Sequence, residues 1–390
     1  MLPDLQRALG LAGDAAVAAV TSAVQLGFIA GTLVFAVAAV PDRFAPRLVF
    51  CACALAGALA NAAPLAFTPG YGALIGLRFL TGFFLAGIYP VGMRIAAGWY
   101  REGLGRALGW LVGALVLGTA SPWLLRAAGA ALPWQAVMGA VSVLAAAAGL
   151  AMLALVPDGP HLARASRFEP RALAAVFASE RFRASAFGYF GHMWELYALY
   201  AFAPVVIAAR LAAEAAGGAT GGSPVHASGA AGVATLAGWT FAAIAAGSVG
   251  CVAGGYASGR FGSARVAFAQ LAASGACCVA SPWMFVAPLP AFLAFMIFWG
   301  AVVAGDSPQF SALNAASAPP DRVGSALTLA NCIGFAITIA SLQLLAWALA
   351  GLGPRFVLVL LAPGPMLGLW AMRRLLRDAP PARPPRRQFG

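Results

Sequence analysis

The chain has 390 residues, of which 62% are hydrophobic and only 9% charged. Soluble domains carry about a quarter charged and about half apolar residues, so this balance excludes an ordinary cytosolic enzyme, a disordered protein and a small disulfide scaffold. The formal charge is +12, and all 24 basic residues are Arg. Such a charge suggests a nucleic-acid partner, but here the arginines sit in short gaps between long apolar runs, which points to a lipid bilayer and no nucleic acid.

Residues 1–15 carry Asp4, Arg7 and Asp14 and read as neither a span nor a cleaved signal. A hydrocarbon core about 30 Å thick takes roughly 20 apolar helical residues to cross. Eleven such runs follow: 18–40, 48–67, 72–97, 107–125, 132–156, 184–208, 231–257, 266–285, 288–305, 323–349 and 355–372. They are continuous rather than alternating, which predicts helices and not barrel strands. The longest polar gap, 157–183, holds Asp158, His161, Glu169, Glu180 and five Arg, and reads as a linker between two membrane halves. The gap 209–230 is rich in Gly and Ala and reads as a flexible loop. The tail 378–390 mixes Pro with Arg and is expected to be disordered near anionic headgroups.

Arg placement sets the orientation. The gaps after runs one, three, five, seven and nine, with the last turn of run three and the C-terminal tail, hold nineteen arginines; the opposite side holds Arg7, Arg126, Arg210 and Arg355, and Arg78 lies well inside a run. The richer side is cytoplasmic by the positive-inside rule. The C-terminus is then inside, and the cytoplasmic (inner) membrane of a bacterium is the expected location.

The halves repeat. GIYPVG from Gly87 matches GDSPQF from Gly305, REGLGRAL (Arg101–Leu108) matches DRVGSAL (Asp321–Leu327), and DRFAPR (Asp42–Arg47) matches GRFGSAR (Gly259–Arg265), all at an offset of 217–219 residues. A constant offset is the signature of tandem membrane repeats. It places the counterpart of run 184–208 before Met1, so five helices are expected in the first half and six in the second, with a first helix missing; a shortened gene model is the plainer explanation. The expected domains are an N-terminal bundle (1–156), a cytoplasmic linker (157–183), a C-terminal bundle (184–377) and the tail (378–390).

These features together resemble the major facilitator superfamily over essentially the whole chain. The match rests on Asp42, Arg43 and Arg47 after the first run, echoed at Arg260, Gly262 and Arg265. It rests also on RFLTG (Arg78–Gly82), on Gly109, Gly113, Gly118 and Pro122 in the fourth run, and on the repeat itself. There are departures: Ala38 stands where a Gly usually opens the loop signature, and Gly259 where the second copy expects an acid. The resemblance implies an all-α polytopic membrane protein with two pseudo-symmetric helical bundles, the major facilitator fold, here with eleven transmembrane helices.

Few polar groups lie deep in the runs. Glu195 sits midway along 184–208, where a carboxylate costs at least ~2.5 kcal/mol on insertion scales and so faces a cavity or a partner. His192 lies three residues earlier on the same helical face. The two form a proton-coupling or substrate-binding pair, or a hydrogen bond that only fixes packing; His192 then simply orients the Glu. Trp194 and Tyr197 are candidate pocket lining beside them, and Gln25 and Asn331 are neutral candidates for the cavity. Arg78 cannot shed its charge and needs a carboxylate, carbonyls, water or a ligand; the alternative is a snorkelling side chain.

By resemblance, Asp42, Arg43 and Arg47 form a cytoplasmic charge latch. Asp306 would pair with Arg260, Arg265 or Arg322 as its second-half counterpart, or sit as a solvated helix terminus. Pro90 and Pro308, at matched repeat positions, are helix-bending points or static kinks. Gly105, Gly109 and Gly113 form a stripe for close helix packing. The six Cys all lie in membrane runs, and neither a metal site nor a nucleotide loop is apparent; a cofactor-free, non-enzymatic protein is expected. The function so read is a monomeric secondary transporter of a small-molecule substrate, driven by H+ with Glu195 as carrier. A uniporter and a non-transporting membrane sensor on the same fold are its rivals.

Overall fold

The computed structural model describes residues 14–67, 69–129, 132–162, 176–217 and 230–377. Residues 1–13 with Asp4 and Arg7, residues 163–175 of the linker, 218–229 of the loop, and the tail lie outside these. Every regular element among the described residues is helical. In chain order they are α1 (Asp14–Val37), a single turn at Val40–Arg43, α2 (Pro46–Ala66), α3 (Tyr71–Leu85), α4 (Tyr89–Trp99), α5 (Leu104–Ala127) and α6 (Trp134–Leu155). The second half supplies α7 (Glu180–Gly217), α8 (Ala230–Phe261), α9 (Ser263–Phe285), α10 (Leu289–Gly305), α11 (Ser307–Ser317), α12 (Val323–Phe356) and α13 (Pro363–Arg377).

Among the described residues nine helical stretches are long and apolar enough to cross a membrane. Pro320–Arg377 counts as one of these although Gly353 breaks it with φ 67°, and the apolar part of α1, Ser22–Val37, is shorter than a span. Large apolar side chains stand open on the outer walls, among them Trp347 at 81% and Leu155 at 77% exposure. In water such a surface would aggregate; against acyl chains it is the expected wall.

Two breaks bear on the sites below, one inside run 72–97 and one just after run 288–305. Run 72–97 is interrupted at Ala86–Ile88, where Ala86, Gly87 and Ile88 each donate to the carbonyl three residues back, a tightened turn that restarts as α4. Run 288–305 stops at Asp306 and restarts as α11. Ile88 and Asp306 occupy matched positions of the repeat. Pro90 and Pro308 are each the second residue of the restarting helix. There the missing N–H has no helical partner to lose, so these prolines start helices rather than kink them from within.

By packing, the chain divides into two compact units, one of 1–101, 131–179 and 314–336, the other of 102–130, 180–313 and 337–390. This boundary differs from that of the sequence repeat: α5 belongs with the second unit, and the start of α12 with the first. In the first unit α1 lies against α3 with almost no side chain between them. A Cβ on Gly27 or Gly31 would run into the carbonyls of Phe79 and Phe83, and one on Gly82 into that of Val24. Small residues permit such approach, which gives membrane helices their packing energy in the absence of a hydrophobic drive. Phe35, Val49, Cys53 and Val91 close the core beside them.

In the second unit α5 lies along α8. A Cβ on Gly109 would stand 2.7 Å from the Cys251 carbonyl oxygen, and one on Gly113 would stand 3.2 Å from that of Ser248. Gly118, in contrast, has nothing within 4 Å of the same position. The glycine stripe is therefore a packing seam from 105 to 113 only. Trp299, Phe292 and Leu271 are fully buried in the core of this unit.

Candidate functional site

The second unit holds a cluster of ionisable groups that no water reaches. α7 brings in His192 and Glu195 one turn apart, and the break between α10 and α11 brings in Asp306; all three are fully buried. His192 Nδ1 lies 2.8 Å from Asp306 Oδ1. The rings of Tyr189 and Phe310 each lie 5.9 Å from the imidazole, and neither of its nitrogens is in hydrogen-bond geometry with a partner among the described residues, so the contact with Asp306 is a close ion-pair approach.

Glu195 turns instead towards α9. The Cys278 thiol donates to its Oε2 over 3.4 Å, and Ser274, whose Oγ accepts from Trp299 Nε1 at 3.0 Å, lies beside the same carboxyl. The cluster is thus two carboxyls and one imidazole from α7 and the α10–α11 break, beside aromatic rings and the Cys278 thiol. Among the described residues no group of three His, Cys, Asp or Glu has a metal-binding arrangement.

Several expectations change here. Asp306 is neither a solvated terminus nor a partner of Arg260, Arg265 or Arg322, because the helix break turns it inwards to His192. Arg260 is exposed over the Phe261 ring, Arg265 donates to the Phe261 carbonyl, and Arg322 lies 3.5 Å from Asp321. His192 is held by Asp306 rather than by Glu195. Glu195 faces helix α9 and not an open cavity. Trp194 donates its indole N–H to the Leu360 carbonyl, 3.1 Å away, and packs over Gly364. Tyr197 is half-buried with its ring 6.4 Å from that of Tyr200.

The first unit holds a second buried charge, at the turn after α1. Asp42 is buried and 3.1 Å from Arg94 Nε of α4, itself 2% exposed. Both Asp42 oxygens also meet the first turn of α12. Gly324 N–H donates to Oδ1 at 2.8 Å, while Ser325 N–H and its hydroxyl each donate to Oδ2 at 2.6 Å. A helix N-terminus offers unsatisfied N–H groups and a partial positive charge, so a carboxylate there is doubly favoured. Gly324 is required by the approach: a Cβ there would stand 2.7 Å from Asp42 Oδ1.

The partners of Asp42 are therefore not Arg43 and Arg47. Arg43 is exposed over the Phe44 ring, and Arg47 lies 3.6 Å from Asp158. Arg94, Gly324 and Ser325 escaped the sequence reading. The signals were an Arg in the last turn of an apolar run and a Gly-Ser pair at a helix start. In the second unit, where the repeat puts Gly259 in place of Asp42, Gln309 Nε2 donates to the Gly105 carbonyl over 3.3 Å.

Arg78 is half-buried on α3. Its Nη2 donates to the Asn61 carbonyl at 3.4 Å, and it forms no ion pair among the described residues. Asn61 in turn donates to Ser142 Oγ at 2.9 Å. Gln25 is half-buried on α1. Asn331 is buried and donates to the Leu327 carbonyl at 2.8 Å, a back-bond along its own helix.

An all-helical membrane chain with buried charges at helix breaks belongs to the class of polytopic transporters. Residues 1–335 match the Major Facilitator Superfamily model, and the chain is a member of that family. Solved structures share the fold. The human organic anion transporter MFSD10 superposes with a TM-score of 0.65 at 15% identity, over 94% of this chain and 87% of that one. A bacterial homologue of the iron transporter ferroportin, in its outward-facing state, gives 0.68 at 14%, over 96% and 93%. The Escherichia coli fucose:proton symporter FucP gives 0.65 at 14%, over 96% and 92%. No curated protein matches the sequence.

Proposed function

We propose that this transporter moves a small solute across the cytoplasmic membrane by alternating access, with its C-terminus inside, and that proton uptake and release at Glu195 drive the cycle. Eleven crossings in bundles of five and six are part of the same reading. The observation that carries it is the full burial of Glu195 beside the His192–Asp306 pair. The Glu195 carboxyl is neutral when it holds its proton and carries one negative charge when it does not. A one-charge difference is costly in a dry site and slight in a wet one. The proton on Glu195 therefore decides which conformation the cluster tolerates, and that differential is what an ion-coupled cycle requires. Arg78, free of any carboxylate among the described residues, is the side chain with charge to spare for substrate or for a passing proton. A likeness at 14% identity to a fucose:proton symporter agrees with this coupling and says nothing of the substrate.

Asp42 acts as the latch on the cytoplasmic side. It holds the start of α12 to α4, and two conformations of nearly equal energy are biased by whether its three donors and Arg94 are engaged.

The test is a flux screen. The purified chain is reconstituted in vesicles with a pH-sensitive dye inside, and a panel of metabolites and drugs is applied. The reading expects at least one solute to move protons with it. Solute exchange with no proton movement would make the protein a uniporter; binding without flux would make it a sensor.

A further inference from the structure

The end of α13 offers a site unrelated to the buried cluster. A cleft of about 450 Å³ opens between the start of α7 and the last two turns of α13. Arg183, Arg373, Arg374 and Arg377 line it against a single acid, Glu180, an excess of three positive charges. Glu180 lies 3.7 Å from Arg183 and 3.4 Å from Arg374. Neither Arg373 nor Arg377 meets a carboxylate among the described residues. Arg373 is held in place by its Nε bond to the Trp370 carbonyl, 3.0 Å, and by the Trp370 ring, 5.3 Å from the guanidinium.

Two things select the occupant. Several guanidiniums facing one cleft match phosphate oxygens, which they grip in pairs. The same cleft is also walled by Phe187 and Trp370, which are 52% and 66% exposed, and one turn further back on α13 stand the open side chains of Met366 and Leu367. Along this helix the outer wall passes from hydrocarbon to aromatic to cationic, the order of a bilayer from core to headgroup. A soluble diphosphate would use the arginines and leave the aromatic and apolar wall bare.

We propose that this cleft is a binding site for an anionic phospholipid carrying two phosphodiester groups, its phosphates on Arg373, Arg374 and Arg377 and its acyl chains along Trp370, Phe187 and Leu367. Basic pockets on the cytoplasmic side of helical membrane proteins take such headgroups, and this end of α13 is on the Arg-rich side. The site stands whether or not the protein is proton-coupled.

The full chain, purified in detergent and stripped of lipid, is titrated with cardiolipin, phosphatidylcholine or sodium pyrophosphate while its melting temperature and its native mass spectrum are followed. Cardiolipin is expected to raise the melting temperature and to add one lipid mass; the other two are not. Arg373→Gln with Arg377→Gln is expected to weaken cardiolipin about thirtyfold, from about 1 kcal/mol per arginine. Arg126→Gln, an arginine stacked on Trp123 far along the chain, is expected to leave it unchanged. Should the double variant not fold, Arg377→Gln alone decides, with a loss of about fivefold. An equal shift with phosphatidylcholine, or an unaltered cardiolipin affinity in the folded variant, overturns the site. An equal shift with pyrophosphate assigns the cleft to a soluble anion and overturns the lipid.

Discussion

The Asp42 carboxylate accepts both the backbone N–H and the hydroxyl of Ser325, each at 2.6 Å, across a separation of 283 residues. Together with Arg94 this gives one buried carboxylate a guanidinium, two backbone donors and a hydroxyl. Breaking a buried ion pair by removing one member costs about 3–5 kcal/mol, because the other charge is left without compensation. Asp42→Asn is therefore expected to lower the melting temperature markedly. Ser325→Ala, which removes one donor of several, is expected to cost about 1 kcal/mol. Thermal unfolding of the purified variants checks the order; an Asp42→Asn protein as stable as the parent contradicts it.

His192 and Asp306 form a pair of the same kind with fewer supports. Asp306→Asn and His192→Gln are each expected to destabilise, and the double variant to lose less than the sum, since each single change strands the partner. A double-mutant cycle of melting free energies measures the coupling. Strict additivity would show that the 2.8 Å contact carries no energy.

The glycine seam makes a positional prediction. Gly109→Val drives carbon into the Cys251 carbonyl and is expected to cost about 1–3 kcal/mol through displacement of α5 from α8. Gly118→Ala, with open space around it, is expected to be neutral or slightly stabilising. Melting curves separate the two, and equal effects would place the seam elsewhere.

Much of this architecture is legible in the residues alone. Long apolar runs, Arg bias and the repeat offset define the class, because a bilayer constrains span length and charge placement more tightly than water constrains a soluble fold. The helix breaks at Ile88 and Asp306 are not legible as breaks: a Pro two residues later reads equally as an internal kink, and only backbone geometry separates the cases. Glu195, His192 and Asp306 each stand out as polar groups in apolar runs. Their pairing does not follow from sequence, since helical spacing puts His192 beside Glu195 while the tertiary contact gives it to Asp306. Arg94 is hidden for another reason. It lies close enough to the end of its run to be counted as a topology signal, and burial against Asp42 depends on a neighbour 52 positions away.

Arg78 invites a separate experiment. Its one described hydrogen bond is long, 3.4 Å, so Arg78→Gln is expected to leave thermal stability nearly unchanged and to reduce substrate flux at least tenfold. A variant with normal flux would leave Arg78 as a headgroup-reaching side chain; one that unfolds would make it structural.

The account turns on the proton at Glu195. In vesicles carrying an imposed pH gradient, Glu195→Gln fixes a neutral side chain of the same shape in the buried cluster. The account predicts a folded protein that still exchanges labelled solute across the membrane but no longer accumulates it in response to the gradient. Accumulation by Glu195→Gln equal to that of the parent would contradict it.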